Sequence, residues 1–259
     1  EAKFGKKAVQ SRWRGGGQPL EASKILVLAL QDDTPLPGIF CIDPEREVPV
    51  GLPILTLIVD YFSRCILGWH LTYSSPSQWT AAQAILHAND PKEVPVRYAE
   101  RYPELALIFG KPSEIAWDNT LFQFARGMED SLSDAGIGLR LVGVEEPTHK
   151  AVVERLFHTL KTLLLEFLPG ATYEIARMRE FGYDAEQQAV LTINELEALI
   201  AEAIAIYHIT PCKGLKGRQP ALVWRKALGA TQIDRIWQAD EFTRSIGAVE
   251  YDCTLSKSG

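Results

Sequence analysis

Asp32, Asp118 and Glu154 are three carboxylates, far apart in the sequence, that stand where elements are expected to end or begin. Asp32 follows the apolar run KILVLALQ, Asp118 ends EIAW, and Glu154 sits early in an amphipathic stretch. Carboxylates at strand ends and on an adjacent helix can point at one volume, where they repel unless cations neutralise them. Oxygen-only ligands select hard cations, Mg²⁺ first and Mn²⁺ second. Two such ions about 3.5–4 Å apart stabilise both the attacking and the leaving oxygen of an in-line displacement at phosphorus. Asp or Glu is required, since an amide keeps the oxygen but loses the charge. Each acid also has a plainer reading. Gln-Asp-Asp-Thr-Pro and Asp118-Asn119 are good turn chemistry, and Glu154 near a helix N-terminus suits the helix dipole. Asp60 is a fourth acid in strand context, with hairpin-end hydrogen bonding as its expected role and metal contact as the alternative.

The elements that must position these acids are legible in the hydrophobic pattern. Residues 24–31 form a continuous apolar stretch of strand length. Residues 54–61 (ILTLIVDY) and 65–73 (CILGWHLTY) are two further strands, separated by Phe62, Ser63 and Arg64 and so expected to form a tight hairpin. Ser77 reads as the N-cap of a helix to about Ala88, with Trp79, Ala82, Ile85 and Leu86 inside. A short strand at 115–117, a helix at 121–132 and a strand at 138–144 follow. After the loop EEPTHK, residues 152–168 repeat Val153, Leu156, Phe157, Leu160, Leu164 and Phe167 at helical spacing, leaving Glu154, Arg155, His158 and Lys161 on the other side. Thr192 and Glu195 form a capping box before a helix to about Tyr207, a short helix surrounds Trp224, and 244–256 regains strand character. This order predicts an α/β fold, a mixed sheet with helices on its faces.

The chain has 259 residues, 46% hydrophobic and 23% charged, which places it in the ordinary globular range. No apolar run approaches the roughly 18 residues of a membrane span. The start, EAKFGKKAVQ, lacks both a secretory signal and an initiator Met, so the chain is expected to be an excised fragment. Cys41, Cys65, Cys212 and Cys253 make no C-x-x-C pair, and the five histidines show no metal-ligand spacing. Zinc and disulfide chemistry are disfavoured, and a reducing cytoplasm is expected. A net charge of −6 is the wrong sign for a chain living on phosphate, so weak DNA binding is expected without help from other segments.

Several segments together resemble the DDE transposases of the retroviral-integrase superfamily, in the TnsB/TniA and phage Mu transposase branch. QDDTPL at 31–36 is similar to the D-H-T-P-L segment of that branch, with Asp33 in place of His. GLPILTLIVDYFSRCILGWHL at 51–71 resembles its G-R-P-x-L-T-x-x-I-D-x-Y-S-R-x-I-L-G hairpin. AWDNT at 116–120 looks like the second-acid segment, and THKAVVERLFHTL at 148–160 like the helix with the third acid. YHITPCKGLKGRQPALVW at 207–224 and the final twenty residues resemble the segment after the core and the opening of a small β-barrel.

The resemblance implies an RNase H-like core with a mixed five-stranded sheet flanked by helices, followed by helices and the start of a small β-barrel. The domains expected are a basic tail (1–20), the core (21–210), a helical connector (211–238) and a truncated barrel (239–259). Asp32, Asp118 and Glu154 would be the catalytic and metal-binding triad for two Mg²⁺ ions, with Mn²⁺ as substitute. Asp32 is preferred to Asp33 because it takes the first place of D-x-T, and alternation lets only one of the two face the site. The implied activity is metal-dependent 3′-end nicking and strand transfer of a mobile element into target DNA. Thr148, His149, Lys150, Arg155, His158 and Lys161 are the expected DNA contacts, Arg64 a structural or surface residue, and Trp117 a core residue. Transposon-end and target DNA, further copies of the chain on DNA and an accessory ATPase are the expected partners, in a bacterial, nucleoid-associated cytoplasm. Two other functions compete: a metal-dependent RNase H-like nuclease that cleaves without joining, and a non-catalytic DNA-binding or assembly module.

Overall fold

The computed structural model describes residues 21–36, 41–43, 45, 48–118, 122–142, 147–167 and 191–247; of 118, 122–127, 147–150 and 165–167 it describes the backbone alone. The basic tail at 1–20 and the last twelve residues lie outside. Five strands make one sheet: β1 (Leu28–Pro35), β4 (Ile54–Asp60), β5 (Ile66–Thr72), β6 (Glu114–Asp118) and β7 (Gly138–Val142). Their order is β5-β4-β1-β6-β7, with β2 (Cys41–Ile42) and β3 (Pro49–Gly51) as a separate ribbon. β4 pairs antiparallel with both β1 and β5, while β6 pairs parallel with both β1 and β7. The sheet is therefore mixed, as expected.

Seven helices are described: α1 (Gln78–Asn89), α2 (Val96–Ala99), α3 (Phe122–Asp134), α4 (Pro147–Phe167), α5 (Ile193–Ile209), α6 (Pro220–Leu228) and α7 (Ala239–Gly247). Strict alternation along the strands sorts their side chains into two cores. Ala29, Ile58, Leu67, Ile115, Trp117 and Leu141 pack with side chains of α1, α3, α6 and α7. Leu30, Leu57, Val59, Ile66, Ala116 and Val142 pack with α4 and α5 instead. Along the α4 stripe, the Phe167 side chain lies outside the described residues; Val153, Leu156, Phe157, Leu160 and Leu164 are all buried. Each such side chain contributes about 1.5–3 kcal/mol through removal from water. Among the described residues, no helix is long and apolar enough to cross a membrane.

Both caps form as expected. Ser77 accepts the Thr80 N–H while Thr80 returns the bond, and Thr192 and Glu195 do the same at α5. Other expectations need correction. The first strand starts at Leu28, because Leu26 has φ of +61° and donates its N–H to Asp60 Oδ1 at 2.8 Å, which pins a turn before the strand. Trp79, expected inside, is half exposed; Ala81, Ala84 and Ala88 are buried instead. These small residues let α1 lie directly on β5, where a Cβ on Gly68 would come within 2.4 Å of Ala88 N. Helix α4 begins at Pro147, so Thr148, His149 and Lys150 form its first turn, not a loop. Residues 239–247, expected to open a β-barrel, are helical: Phe242 and Ile246 recur at helical spacing and are buried in the core beside α1 and α3. The rest of that expected barrel lies outside the described residues.

Candidate active site

Alternation along β1 separates the neighbours Asp32 and Asp33. Gln31 and Asp33 share one face, where Gln31 Oε1 accepts Trp117 Nε1–H at 2.9 Å and Asp33 Oδ1 accepts the Thr56 hydroxyl. Asp33 is cross-strand partner to Thr56 in the β1–β4 register. Burial raises the pKa of Asp33, and the Thr56 hydroxyl partly offsets it. Asp32 falls on the opposite face, in line with Leu28 and Leu30, which pack in the core shared with α4. It is half-buried, and its Oδ1 accepts the Asp33 N–H at 2.9 Å.

The parallel pairing of β1 and β6 runs Leu28↔Glu114, Ala29↔Ile115 and Leu30↔Ala116. Asp32 is two residues beyond Leu30 and Asp118 two beyond Ala116, so the register brings their backbones toward the same level on neighbouring strands. Adjacent strands lie about 4.8 Å apart. Asp118 itself pairs with Val142 of β7; its side chain lies outside the described residues. The Gln31–Trp117 bond ties the same two strands from behind, one residue before each acid. Both groups are buried, at 1% and 0% exposure. Reading Trp117 as core was correct, but its polar tether was not visible in the hydrophobic pattern.

Glu154 lies on α4, directly after buried Val153, and is itself exposed, as are Arg155 and His158. Lys161 does not share that exposure. Its Nζ donates to Thr34 Oγ1 at 3.0 Å, which fastens α4 to the end of β1, and burial lowers its pKa. The side chains of Thr148, His149 and Lys150 lie outside the described residues. Asp60 performs the hairpin task expected of it. Buried completely, it accepts Leu26 N–H, Ser63 N–H and the Ser63 hydroxyl at 2.8, 2.7 and 2.6 Å. Burial raises its pKa, against those three bonds. Among the described residues no group of three or more His, Cys, Asp or Glu side chains is arranged to hold a metal; Asp118 is outside that statement.

A five-stranded mixed sheet in this order, with helices on both faces, Asp32 within β1 (which runs on to Pro35) and Asp118 ending β6, has the RNase H-like α/β fold of the transposase and integrase class. Residues 31–170, more than half of the chain, match the family described as the TnsB C-terminal domain. The chain belongs to that family. It is 25% identical over 178 residues to the transposon Tn7 transposition protein TnsB of Escherichia coli, covering 66% of this chain and 25% of that protein. It is 28% identical over 144 residues to the transposase for transposon Tn552 of Staphylococcus aureus, covering 54% of this chain and 27% of that one. The chain thus spans about a quarter of the length of these relatives. Among solved structures, the HTLV-2 integrase catalytic core domain in complex with magnesium overlays with a TM-score of 0.46 at 13% identity, covering 79% of this chain and 99% of that one.

Proposed function

We propose that this chain is the catalytic core of a DNA transposase, a DDE-type polynucleotidyl transferase that nicks a transposon 3′ end and joins it to target DNA. One observation supports the reading most: the β1–β6 register ends at Leu30↔Ala116, two residues before Asp32 and Asp118, and Leu30 and Ala116 pack in the core shared with the helix that bears Glu154. Family membership and the transposition proteins among the relatives support it.

Asp32, Asp118 and Glu154 would hold Mg²⁺, or Mn²⁺ in its place, in two positions. The donor set fits such ions, because it offers only carboxylate oxygens and leaves Asp32 half-buried and Glu154 exposed. Bound there, the ions supply charge neutralisation at the reacting phosphate and activation of the attacking oxygen. The chain's own groups do the positioning. Asp33 N–H orients the Asp32 carboxylate, Lys161 holds the strand end through Thr34, and Gln31 with Trp117 locks the two acid-bearing strands in register. In the first reaction water cleaves one phosphodiester and leaves a 3′-OH. In the second that hydroxyl attacks a target phosphodiester, and the target strand's own 3′ oxygen departs. No covalent bond to the protein is needed.

Arg155 and His158, both exposed beside Glu154, would meet DNA phosphates, with Lys161 behind them and Thr148, His149 and Lys150 in the first turn of α4. Transposon ends and target DNA are the substrates; a multimer assembled on DNA, an accessory ATPase and a site of action at the bacterial nucleoid complete the proposal. The full-length protein, given end-sequence DNA and Mg²⁺, should yield joined products. Glu154→Gln should lower joining by roughly a hundred- to a thousandfold or more, and joining that survives removes Glu154 from the reaction. Cleavage without joining by the unaltered protein would mark a simple nuclease.

A further inference from the structure

A cavity of about 250 Å³ opens between the tip of the β4–β5 hairpin, the middle of α4 and the segment after α5. Its floor is apolar, built from Val59, Leu156 and Tyr207, and three cations reach it: Arg64, Arg155 and Lys213. No acid lines it, and among the described residues none of the three makes an ion pair. That concentration of positive charge stands out in a chain of net charge −6.

Arg64 is held from several sides. Its backbone is left-handed at φ of +64°, its carbonyl accepts the Tyr207 hydroxyl at 2.9 Å, and its guanidinium lies 4.3 Å from the Tyr61 ring centroid. Asp60, whose charge it feels, has both carboxylate oxygens engaged by Leu26 and Ser63. Arg64 Nη1 is buried and has no hydrogen-bond partner among the described residues. A buried unpaired donor on a charged group is costly, and with Arg64 in the cavity wall an anion there would meet the charge of its guanidinium. The low-polarity floor strengthens any charge pair formed above it.

We propose that this cavity binds one backbone phosphate of DNA, held by Arg64, Arg155 and Lys213, with the apolar floor against the adjoining sugar. The assignment rests on the transposase reading, because Arg155 directly follows Glu154 on α4 and the same strand would run past both. This phosphate is a positioning contact, set apart from the reacting one.

Two measurements on the full 259-residue chain test it. In the first, anisotropy follows binding of a short duplex across a salt series, for the unaltered chain and for Arg155→Gln with Lys213→Gln. Loss of one phosphate contact should weaken binding about tenfold and lower the slope of log K against log salt by about 0.9. Arg97→Gln, an exposed cation on α2, should leave both unchanged. In the second, amide resonances of Lys213 and Gly214 follow titration with a 5′-phosphorylated dinucleotide, then with inorganic phosphate. Saturable shifts from the dinucleotide that vanish in the double variant are expected. Failure of either readout overturns the assignment, as does inorganic phosphate matching the dinucleotide while the slope stays fixed, which would mark a free-phosphate site. An unchanged slope with joining still lost in Glu154→Gln would sink the cavity alone. A lowered slope with joining unaffected by Glu154→Gln would sink the triad alone.

Discussion

Asp32 and Asp33 are chain neighbours with opposite surroundings, and the difference comes from strand alternation. Asp33 faces Thr56 across the antiparallel pair, while Asp32 lies on the α4 side with the α4-packed Leu30. Asp33→Asn should therefore leave Mn²⁺ affinity within a fewfold of the unaltered protein, whereas Asp32→Asn should remove most of it. Calorimetric titration with Mn²⁺ reads both, and the reverse ranking would transfer the metal role to Asp33. The sequence shows that the two neighbours must face opposite sides of the strand, because side chains alternate with a period of two; preferring Asp32 rests on its first place in D-x-T. What was not legible is the polar wiring behind the acids. Gln31 reads as the last residue of an apolar run and Trp117 as core, yet each is the other's partner. Gln31→Leu should cost about 1–3 kcal/mol, the penalty of leaving the Trp117 N–H buried and unpaired. Chemical denaturation checks it, and an unchanged midpoint would mean that another acceptor takes over. The Lys161–Thr34 bond is illegible for a related reason: helical spacing assigns Lys161 to the polar side of α4, but a long side chain can turn back and reach Thr34.

At the scale of elements, the hairpin and its covering helices show how an edge is closed. β5 lies at the sheet edge, where unpaired N–H groups invite association with other strands. Two histidines from opposite faces accept them: Ile66 N–H bonds to His208 Nε2 at 2.9 Å, and Trp69 N–H to His87 Nδ1 at 3.0 Å. The donors are three residues apart because the β4–β5 register slips between Ile58 and Val59. An imidazole can accept only when neutral. Burial depresses both histidines to about 3, with Lys92 adding to the effect at His87. The unfolded chain therefore binds protons that the folded one refuses. Stability is fully present above the ordinary histidine value of 6.5 and is lost as pH falls from there toward 3. Between pH 7 and 5 each ring should withdraw on the order of 2 kcal/mol. Urea midpoints at the two pH values measure this, and His208→Gln should flatten the dependence, since its amide oxygen accepts without titrating. A pH-independent midpoint would contradict the bonding described. The sequence offers no sign of this device, because neither histidine is near β5 in spacing alone. Gly68 was present in the hairpin motif but without its reason. Gly68→Ala drives a methyl to within 2.4 Å of α1 backbone, and should cost about 3 kcal/mol or more.

For the whole molecule, the sequence reading ends the core near residue 210, and residues beyond that point pack on the core. Trp224 is wholly buried and donates to the Leu107 carbonyl at 2.8 Å, while Ile236, Phe242 and Ile246 join the same core as β1 and α1. The connector was readable as helix, but its docking site depends on contacts distant in sequence, which periodicity does not carry. α6 and α7 should therefore unfold together with the sheet, and Trp224→Ala should cost about 3–5 kcal/mol. A single cooperative transition by both fluorescence and far-UV dichroism is expected; two separated transitions would restore the boundary. Under the proposed function, a net charge of −6 leaves affinity for DNA to local features such as the α4 face and the Arg64 cavity. The proposed function makes one demand above all others: that acids from β1, β6 and α4 share ions. A crystal of this chain soaked in Mn²⁺ and read by anomalous scattering tests that demand most directly. Manganese is expected in contact with Asp32, Asp118 and Glu154 together; manganese bound elsewhere, or touching only one of the three, would contradict the proposed function.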